Sequence, residues 1–224
     1  MDADELPAWR GRTRGEHRWP ALAIVAGTIA LQLLLPSQLV VRPRWLLPAV
    51  TGLLMVVLLL VNPGRLSKRT PLDRAVALGV VAIVSIANGA SAVQLVTGIV
   101  NGSIANRPGP VLLSAAIVYW TNIVAFSLWY WEFDRGGPAQ RAMGAAEYPD
   151  LMFPQMANPE LAPKDWEPAY PDYLYLSFTN ATAFSPTDVM PLRPWAKATM
   201  MLQAAISLML ALLVVAWAVS ALRS

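Results

Sequence analysis

Residues 177–191 read Ser-Phe-Thr-Asn-Ala-Thr-Ala-Phe-Ser-Pro-Thr-Asp-Val-Met-Pro and stand just before the last long apolar run of the chain, residues 195–222. Proline ends helical geometry, and hydroxyl and amide side chains can bond the backbone groups that are freed. We therefore expect a short helix over residues 173–183 that dips into a membrane, followed by extended chain over 184–188. The same residues also fit a short amphipathic helix in which residues 185–188 only cap and turn the chain into the final helix.

Composition and hydropathy patterning place the chain in a membrane. Apolar residues make up 56% of its 224 residues, and charged residues make up 14%. Long uncharged runs alternate with short charged segments, as bilayer-spanning helices require. We predict an all-α integral membrane protein with about five transmembrane helices and a re-entrant loop before the last. These helices are placed at residues 19–36, 45–61, 75–100, 110–131 and 195–222.

The distribution of lysine and arginine orients these helices. With a cytoplasmic N-terminus, thirteen of the 17 basic residues fall in the N-terminal tail, in the loop after the second helix and between the fourth and fifth helices. The other side receives Arg42, Arg44, Arg107 and Arg223. Because cytoplasmic loops carry the excess of basic residues, we predict a multi-pass protein of the cell (plasma) membrane with its N-terminus in the cytoplasm.

Missing residue types narrow the chemistry. The chain has no cysteine and a single histidine, His17, in the polar N-terminal tail. These counts exclude thiolate metal sites, haem ligation within the bilayer and Ser-His-Asp hydrolysis. We therefore expect no enzyme, no metal and no cofactor. Membrane topology explains the basic pI of about 9.4 better than nucleic-acid binding does. After the fourth helix, Glu132 and Asp134 are predicted to form a solvated face with Arg135 rather than a catalytic pair.

Uncharged polar residues inside the predicted helices are the next candidates, because amides in lipid usually face protein or water. The third helix carries Ser85, Asn88, Ser91 and Gln94. Their spacing spreads them over about half the circumference of the helix, so it favours packing with interhelical hydrogen bonds over a conduction path. In the last helix, Gln203 and Ser207 share one face and are possible pore-lining residues.

The quoted stretch resembles the pore loop of tetrameric potassium channels, which reads Ser-Phe-x-Thr-x-Thr-Thr-Val-Gly-Tyr-Gly-Asp-x-x-Pro. The residues that match without a gap are Ser177, Phe178, Thr182, Asp188 and Pro191. Asn180 stands where that family has its first threonine. The flanking residues 172–176 and 192–219 resemble the start of a pore helix and an inner helix. The whole layout is also similar to an uncharacterised family of bacterial five-helix membrane proteins.

The chain departs from the potassium-channel pattern at the filter itself. Both glycine positions are occupied by other residues, Ser185 and Thr187, with Pro186 between them. A ring of backbone carbonyls depends on glycine backbone angles, so a potassium-type filter should not form. In its place, the resemblance implies a ring of side-chain oxygens with an acid at the mouth, which would pass cations with little discrimination. The residues of this ring are Thr179, Asn180, Thr182, Ser185, Thr187 and Asp188.

Four parts of the chain follow: a basic tail (1–18), a four-helix transmembrane region (19–131), a polar, acidic and proline-rich segment (132–171), and a pore-loop-like segment with the terminal helix (172–224). We expect a channel-like protein in the lipid bilayer, a homo-oligomer such as a tetramer that passes monovalent cations. The alternative is a non-conducting accessory or assembly subunit of a membrane complex.

Pore loops of potassium channels enter from outside, whereas the charge distribution places this loop inside. Either the loop is inverted, as in channels that resemble ionotropic glutamate receptors, or one apolar run does not span.

Overall fold

The computed structural model describes residues 7–61, 66, 70–103, 108–146, 148–182 and 188–221, and this part of the chain is mostly helical. Its helices are α1 (Trp19–Leu34), α2 (Leu46–Val61), α3 (Pro71–Val100), α4 (Pro108–Phe133), α5 (Pro138–Ala142), α6 (Pro154–Ala157), α7 (Tyr170–Thr182) and α8 (Pro194–Ala221). Two short strands, β1 (Leu151–Met152) and β2 (Met190–Pro191), pair antiparallel. The predicted all-α class is confirmed at this level.

Three of the described helices, α3, α4 and α8, are long and apolar enough to cross a membrane. They contain 30, 26 and 28 residues. The apolar helices α1 and α2 contain 16 residues each. At a rise of about 1.5 Å per residue they are roughly 24 Å long, which is less than the hydrocarbon thickness of about 30 Å. The chain is therefore a membrane protein with three clear candidate spans, and the count of five stays a prediction.

The central helix is α4, the most buried of the three candidate spans. Helix α3 runs antiparallel to it. The contacts that fix this direction are Arg74 to the Gly136 carbonyl (3.4 Å), Ser85 to Trp129 (2.8 Å) and Asn88 to Asn122 (3.1 Å). Two apolar clusters lie against α4, one around Tyr130 and one around Val118. We call the end of the molecule where α4 ends the tail side, because residues 7–18 lie there, and the opposite end the far side.

Arginine side chains hold the ends of the two shorter helices. On the tail side, Arg18 donates to the carbonyl of Leu58 (3.0 Å) and lies 4.0 Å from the carboxylate of Asp73, so the start of α1, the end of α2 and the start of α3 meet. On the far side, Arg44 donates to the carbonyls of Leu33 and Leu35 at the end of α1. A cation at this position complements the helix dipole and satisfies carbonyls that lack a partner within the helix.

Helix α3 begins four residues earlier than the sequence pattern predicts. The hydroxyl of Thr70 accepts from the backbone N–H of Asp73 (3.1 Å), and the carboxylate of Asp73 accepts from the N–H of Thr70 (3.4 Å). Pro71 occupies the first helical position, where its missing N–H has no consequence. This capping box draws Asp73 and Arg74, which look like loop residues in the sequence, into the helix.

The tail is folded against the segment that follows α4. Trp9 is buried, the N–H of Thr13 donates to the carbonyl of Ala142 (2.9 Å), and the N–H of Leu66 donates to the carbonyl of Glu16 (3.0 Å). Gly144 has a φ of +63°, and a Cβ atom there would lie 3.0 Å from the carbonyl oxygens of Arg10 and Gly11. Contact between the tail and this segment therefore depends on a glycine at position 144.

The prediction of a solvated charged face after α4 is wrong. Glu132, Asp134 and Arg135 expose 3%, 0% and 7% of their surface. The tail, α5 and β1 cover the end of α4, so these charges are buried among partners that lie far away in sequence. The local sequence pattern does not show that these distant elements pack over the end of α4.

The two glycines Gly144 and Gly102 allow a matched test of tail docking. Both have positive φ, +63° and +69°, but nothing lies within 4 Å of a Cβ atom at Gly102. Alanine at either position adds backbone strain of about 1–2 kcal/mol. Only Gly144→Ala also forces the backbone of the tail away.

We expect Gly144→Ala to lower the free energy of unfolding in detergent by about 1 kcal/mol more than Gly102→Ala does. Trypsin should also cleave faster after Arg12 and Arg14 in Gly144→Ala alone. Equal effects of the two substitutions on both measurements would contradict the docking of the tail.

Candidate functional site

Helix α7 lies alongside the tail-side half of α4 and runs in the opposite direction. Three hydrogen bonds fix its course: the Tyr173 hydroxyl to Asp134 (2.6 Å), the Ser177 hydroxyl to the Ile123 carbonyl (2.6 Å), and the Tyr119 hydroxyl to the Ala181 carbonyl (2.6 Å). Successive residues of α7 thus meet earlier and earlier residues of α4. The helix begins at the tail-side end of α4 and ends near the middle of α4, beside Tyr119.

After α7, the described chain resumes at Asp188 and lies again at the tail-side end of α4. Strand β2 pairs with β1, so Met190 is opposite Met152. The N–H of Leu151 in β1 donates to the buried carboxylate of Asp134 (3.3 Å), the same group that holds Tyr173. Helix α8 then runs antiparallel to α4. At its start, the ring of Trp195 lies 6.0 Å from the ring of Phe133 and is tilted by 46° from it.

One buried polar network joins α4, α7 and α8 through Gln203. The side-chain carbonyl of Gln203 accepts from the Tyr130 hydroxyl (2.7 Å) and from the Asn180 amide (2.8 Å). Its NH₂ group donates to the backbone carbonyl (2.9 Å) and the hydroxyl (2.7 Å) of Ser177. Gln203 is fully buried, and all four of these bonds are made within one chain.

A second network joins α3, α4 and α8. Its hydrogen bonds run from Thr121 to Asn88 (2.6 Å), from Asn88 to Asn122 (3.1 Å) and from Asn122 to Ser207 (3.2 Å). All four side chains are buried. Asn88 and Ser85 therefore make interhelical hydrogen bonds of the kind predicted for the third helix, because a buried amide away from water needs a partner.

The predicted ring residues lie in different surroundings. Asn180 also donates to the carbonyl of Met200 (3.0 Å) and so faces α8. The hydroxyls of Thr179 and Thr182 donate back into α7, to Tyr175 (3.0 Å) and to Phe178 (2.8 Å), respectively. A hydroxyl that donates its proton to its own helix keeps oxygen lone pairs free to face outward. Asp188 and Thr182 are exposed, whereas Ser185 and Thr187 lie outside the described residues.

The two possible pore-lining residues, Gln203 and Ser207, are both fully buried. They lie on the face of α8 that contacts α4, and their polar atoms are engaged in the two networks. The structure thus brings Asn180 and Gln203 into contact. The hydroxyls of Thr179 and Thr182 instead donate within α7, and Asp188 is exposed.

Two mostly apolar grooves flank α4. The larger, of about 460 Å³, lies between α3, α4 and α8 and includes Gly89 and Trp129. The smaller, of about 400 Å³, lies between α4 and α8 beside the end of α7 and includes Tyr119 and Phe178. Within the described part of the chain, no group of three or more His, Asp or Glu side chains is placed to hold a metal ion.

The start of α7 carries a cluster that sequence reasoning missed. The carboxylate of Glu16, in the tail, accepts from the indole of Trp131 (2.8 Å), from Arg141 (2.7 Å) and from the backbone N–H of Tyr170 (2.8 Å). Burial raises the pKa of Glu16, and Arg141 opposes that rise. The only hint in the sequence was that the N-terminal tail and the segment after α4 both contain acidic and basic residues. Nothing in the sequence indicated which of them pair.

No protein-family model, curated protein or solved structure matches this chain. Its function therefore has to be inferred from its own residues and contacts.

The Gln203 network predicts a strong effect of one substitution. Gln203→Leu leaves the buried Tyr130 hydroxyl without its acceptor and removes one of two acceptors of the half-buried Asn180 amide, so we expect the free energy of unfolding to fall by about 1–3 kcal/mol. The control is Gln94→Leu on the half-buried face of α3, for which we expect a change below about 0.5 kcal/mol. Unfolding in mixed micelles measures both. Equal losses in the two variants would contradict the role of the network.

Proposed function

We propose that this chain is the subunit of a homo-oligomeric, channel-like membrane protein in which α7 and the chain after it form a re-entrant loop. One observation carries this proposal. Helix α7 starts at the tail-side end of α4 and ends beside Tyr119, near the middle of α4, while β2 is again at the tail-side end. A turn that only lay on the surface would not bring Ala181 next to Tyr119. A segment that ends at such depth is tolerated where protein or water satisfies its backbone groups, as in a pore.

The proposal includes five crossings, with α1 and α2 as the first two. Trp19 at the start of α1 and Trp45 just before α2 are both largely exposed, as interfacial anchors are. Leu35 and Leu39, which follow α1, pack in the same far-side cluster as Leu95 of α3. Short apolar helices are accommodated by local thinning of the bilayer. The N-terminus would then lie on the tail side and the C-terminus on the far side.

We further propose that the tail side is cytoplasmic. Described basic residues on that side include Arg12, Arg14, Arg141 and Lys197, whereas the far side has Arg42 and Arg44. The positive-inside rule favours this orientation. The loop would then enter from the cytoplasm, inverted with respect to the potassium channels that its sequence resembles.

Thiol labelling tests this orientation, because the chain has no cysteine of its own. Leu161 is 74% exposed in the polar segment on the tail side, and Gln38 is exposed in the Ser37–Leu39 turn on the far side. A membrane-impermeant maleimide applied to intact cells should label Gln38→Cys and leave Leu161→Cys unlabelled until the cells are lysed. The reverse pattern would overturn the orientation.

Conduction in the proposed channel depends on side-chain oxygens of α7 and on Asp188. Thr179, Asn180 and Thr182 would supply the oxygens, and Asp188 would place one acid per subunit at the cytoplasmic mouth. Such a path suits monovalent cations and discriminates weakly between them, because it lacks a cage of backbone carbonyls.

Flux into liposomes tests conduction, with Asp165 as a matched control because it is also an exposed acid of the tail-side segments. We expect a tetramer with weakly selective cation flux. Asp188→Asn should reduce this flux severalfold by removing the ring of charge, while Asp165→Asn leaves it unchanged. Thr182→Ala should alter selectivity more than rate. A well-folded protein without flux, or equal effects of the two Asp→Asn variants, would refute the channel.

The second candidate is a non-conducting accessory or assembly subunit. Exposed apolar side chains on the polar segment favour it: Tyr148 and Leu161 expose 59% and 74% of their surface outside the long helices. An apolar surface outside the bilayer suits a protein partner. Purification with a stable partner that buries these two side chains, together with absence of flux, would select this function.

A further inference from the structure

We propose that Glu16 is a positioning residue for the loop: its carboxylate, supplied by the N-terminal tail, caps α7 from outside the helix and so lets the tail control where the loop begins. This inference rests on the proposed function, because it concerns the same re-entrant helix. It assigns to the tail a role beyond that of a basic topology signal.

The backbone N–H groups at the start of α7 need hydrogen-bond acceptors, and the helix itself supplies only some of them. The first N–H groups of a helix have no partner within it and carry a positive partial charge. Asp172 accepts from the N–H of Ala169 (2.8 Å), which leaves the N–H of Tyr170 to be satisfied elsewhere. One carboxylate oxygen of Glu16 accepts from it at 2.8 Å. A carboxylate at this position is favourable both as a hydrogen-bond acceptor and as a negative charge.

The other carboxylate oxygen of Glu16 is held by two different elements. It accepts from the indole N–H of Trp131 in α4 (2.8 Å) and from Arg141 in α5 (2.7 Å). The same Arg141 donates to the carbonyls of Trp131 (2.6 Å) and Asp134 (3.1 Å), and its guanidinium lies 4.8 Å from the ring of Tyr173. Glu16 therefore joins the end of α4, α5 and the start of α7 at one point.

Two other hydrogen bonds of the described part of the tail do not involve α7. Thr13 donates to Glu167 (2.7 Å), and Arg135 donates to the carbonyl of Trp9 (2.6 Å). Thr13 thus provides a matched control. Thr13→Val keeps the shape of the side chain and removes its hydrogen bond to Glu167 and the one that it accepts from the N–H of Gly15 (3.1 Å), but leaves the acceptor of the Tyr170 N–H in place.

Glu16→Gln is the sharpest test because glutamine keeps the shape but has one donor group. Whichever way its amide is turned, its NH₂ meets a donor, either the N–H of Tyr170 or the pair formed by Trp131 and Arg141. Hydrogen exchange of the full-length protein in lipid nanodiscs reports on the result. We expect exchange of the amides at the start of α7 to accelerate about five- to tenfold in Glu16→Gln, with α3 and α8 unchanged. Thr13→Val should leave α7 exchange as in the unmodified protein.

Two outcomes would overturn the inference. Unchanged exchange in α7 would mean that Glu16 does not cap it. Uniform acceleration in α3, α7 and α8 would mean that Glu16 only stabilises the whole fold.

Cation flux through the same variants distinguishes a failure of this inference from a failure of the proposed channel. If the unmodified protein conducts, flux should change in Glu16→Gln and not in Thr13→Val. If it does not conduct, the channel fails, while the exchange result still decides whether Glu16 positions α7.

Discussion

The buried carboxylate of Asp134, at the end of α4, is the interaction on which the tail-side half of the molecule depends. One of its oxygens accepts from the Tyr173 hydroxyl (2.6 Å) and lies 3.4 Å from Arg135. The other accepts from the N–H groups of Asp150 (3.2 Å) and Leu151 (3.3 Å). One side of the carboxylate thus holds α7, and the other holds β1, which pairs with β2. The two segments that flank the proposed loop, α7 and β2, are thus both held in place through the carboxylate of Asp134.

The backbone at Arg135 makes this arrangement possible. Its φ of +52° is a left-handed conformation that costs about 1–2 kcal/mol for a residue with a Cβ atom. In this conformation the N–H of Arg135 donates to the carboxylate of Asp150 (2.9 Å), and its guanidinium reaches the carbonyl of Trp9 (2.6 Å). The strain is offset by hydrogen bonds that connect α4 with both the tail and the segment before β1. The abrupt end of α4 therefore allows the tail, the segment before β1 and α7 to meet at Asp134 and Arg135.

The sequence specified the apolar helices well because their signals are local. The predicted ends of the second and third helices at residues 61 and 100 agree with α2 and α3, and the final helix starts within one residue of the prediction. The predicted short helix over 173–183 corresponds to α7, which begins three residues earlier, at Tyr170. Its predicted extended continuation falls mostly outside the described residues. What could not be predicted depends on long-range contacts. Glu16 and Trp131, for example, lie 115 positions apart, and the tail, α5 and β1 together bury charges at the end of α4 that look solvated in the local pattern.

The cluster around Glu16 and Arg141 determines where α7 starts more than it adds to the free energy of unfolding. Taking an ion pair out of water costs much of what the attraction returns, so a buried pair replaced by apolar residues is often neutral. The side chains of Arg141 and Glu16 are only 4% and 8% exposed, so this balance applies to them. An apolar pair could keep the tail buried, but it could not accept from the N–H of Tyr170. The acid at position 16 therefore matters for where α7 starts, and an apolar contact between tail and bundle would leave that point undefined.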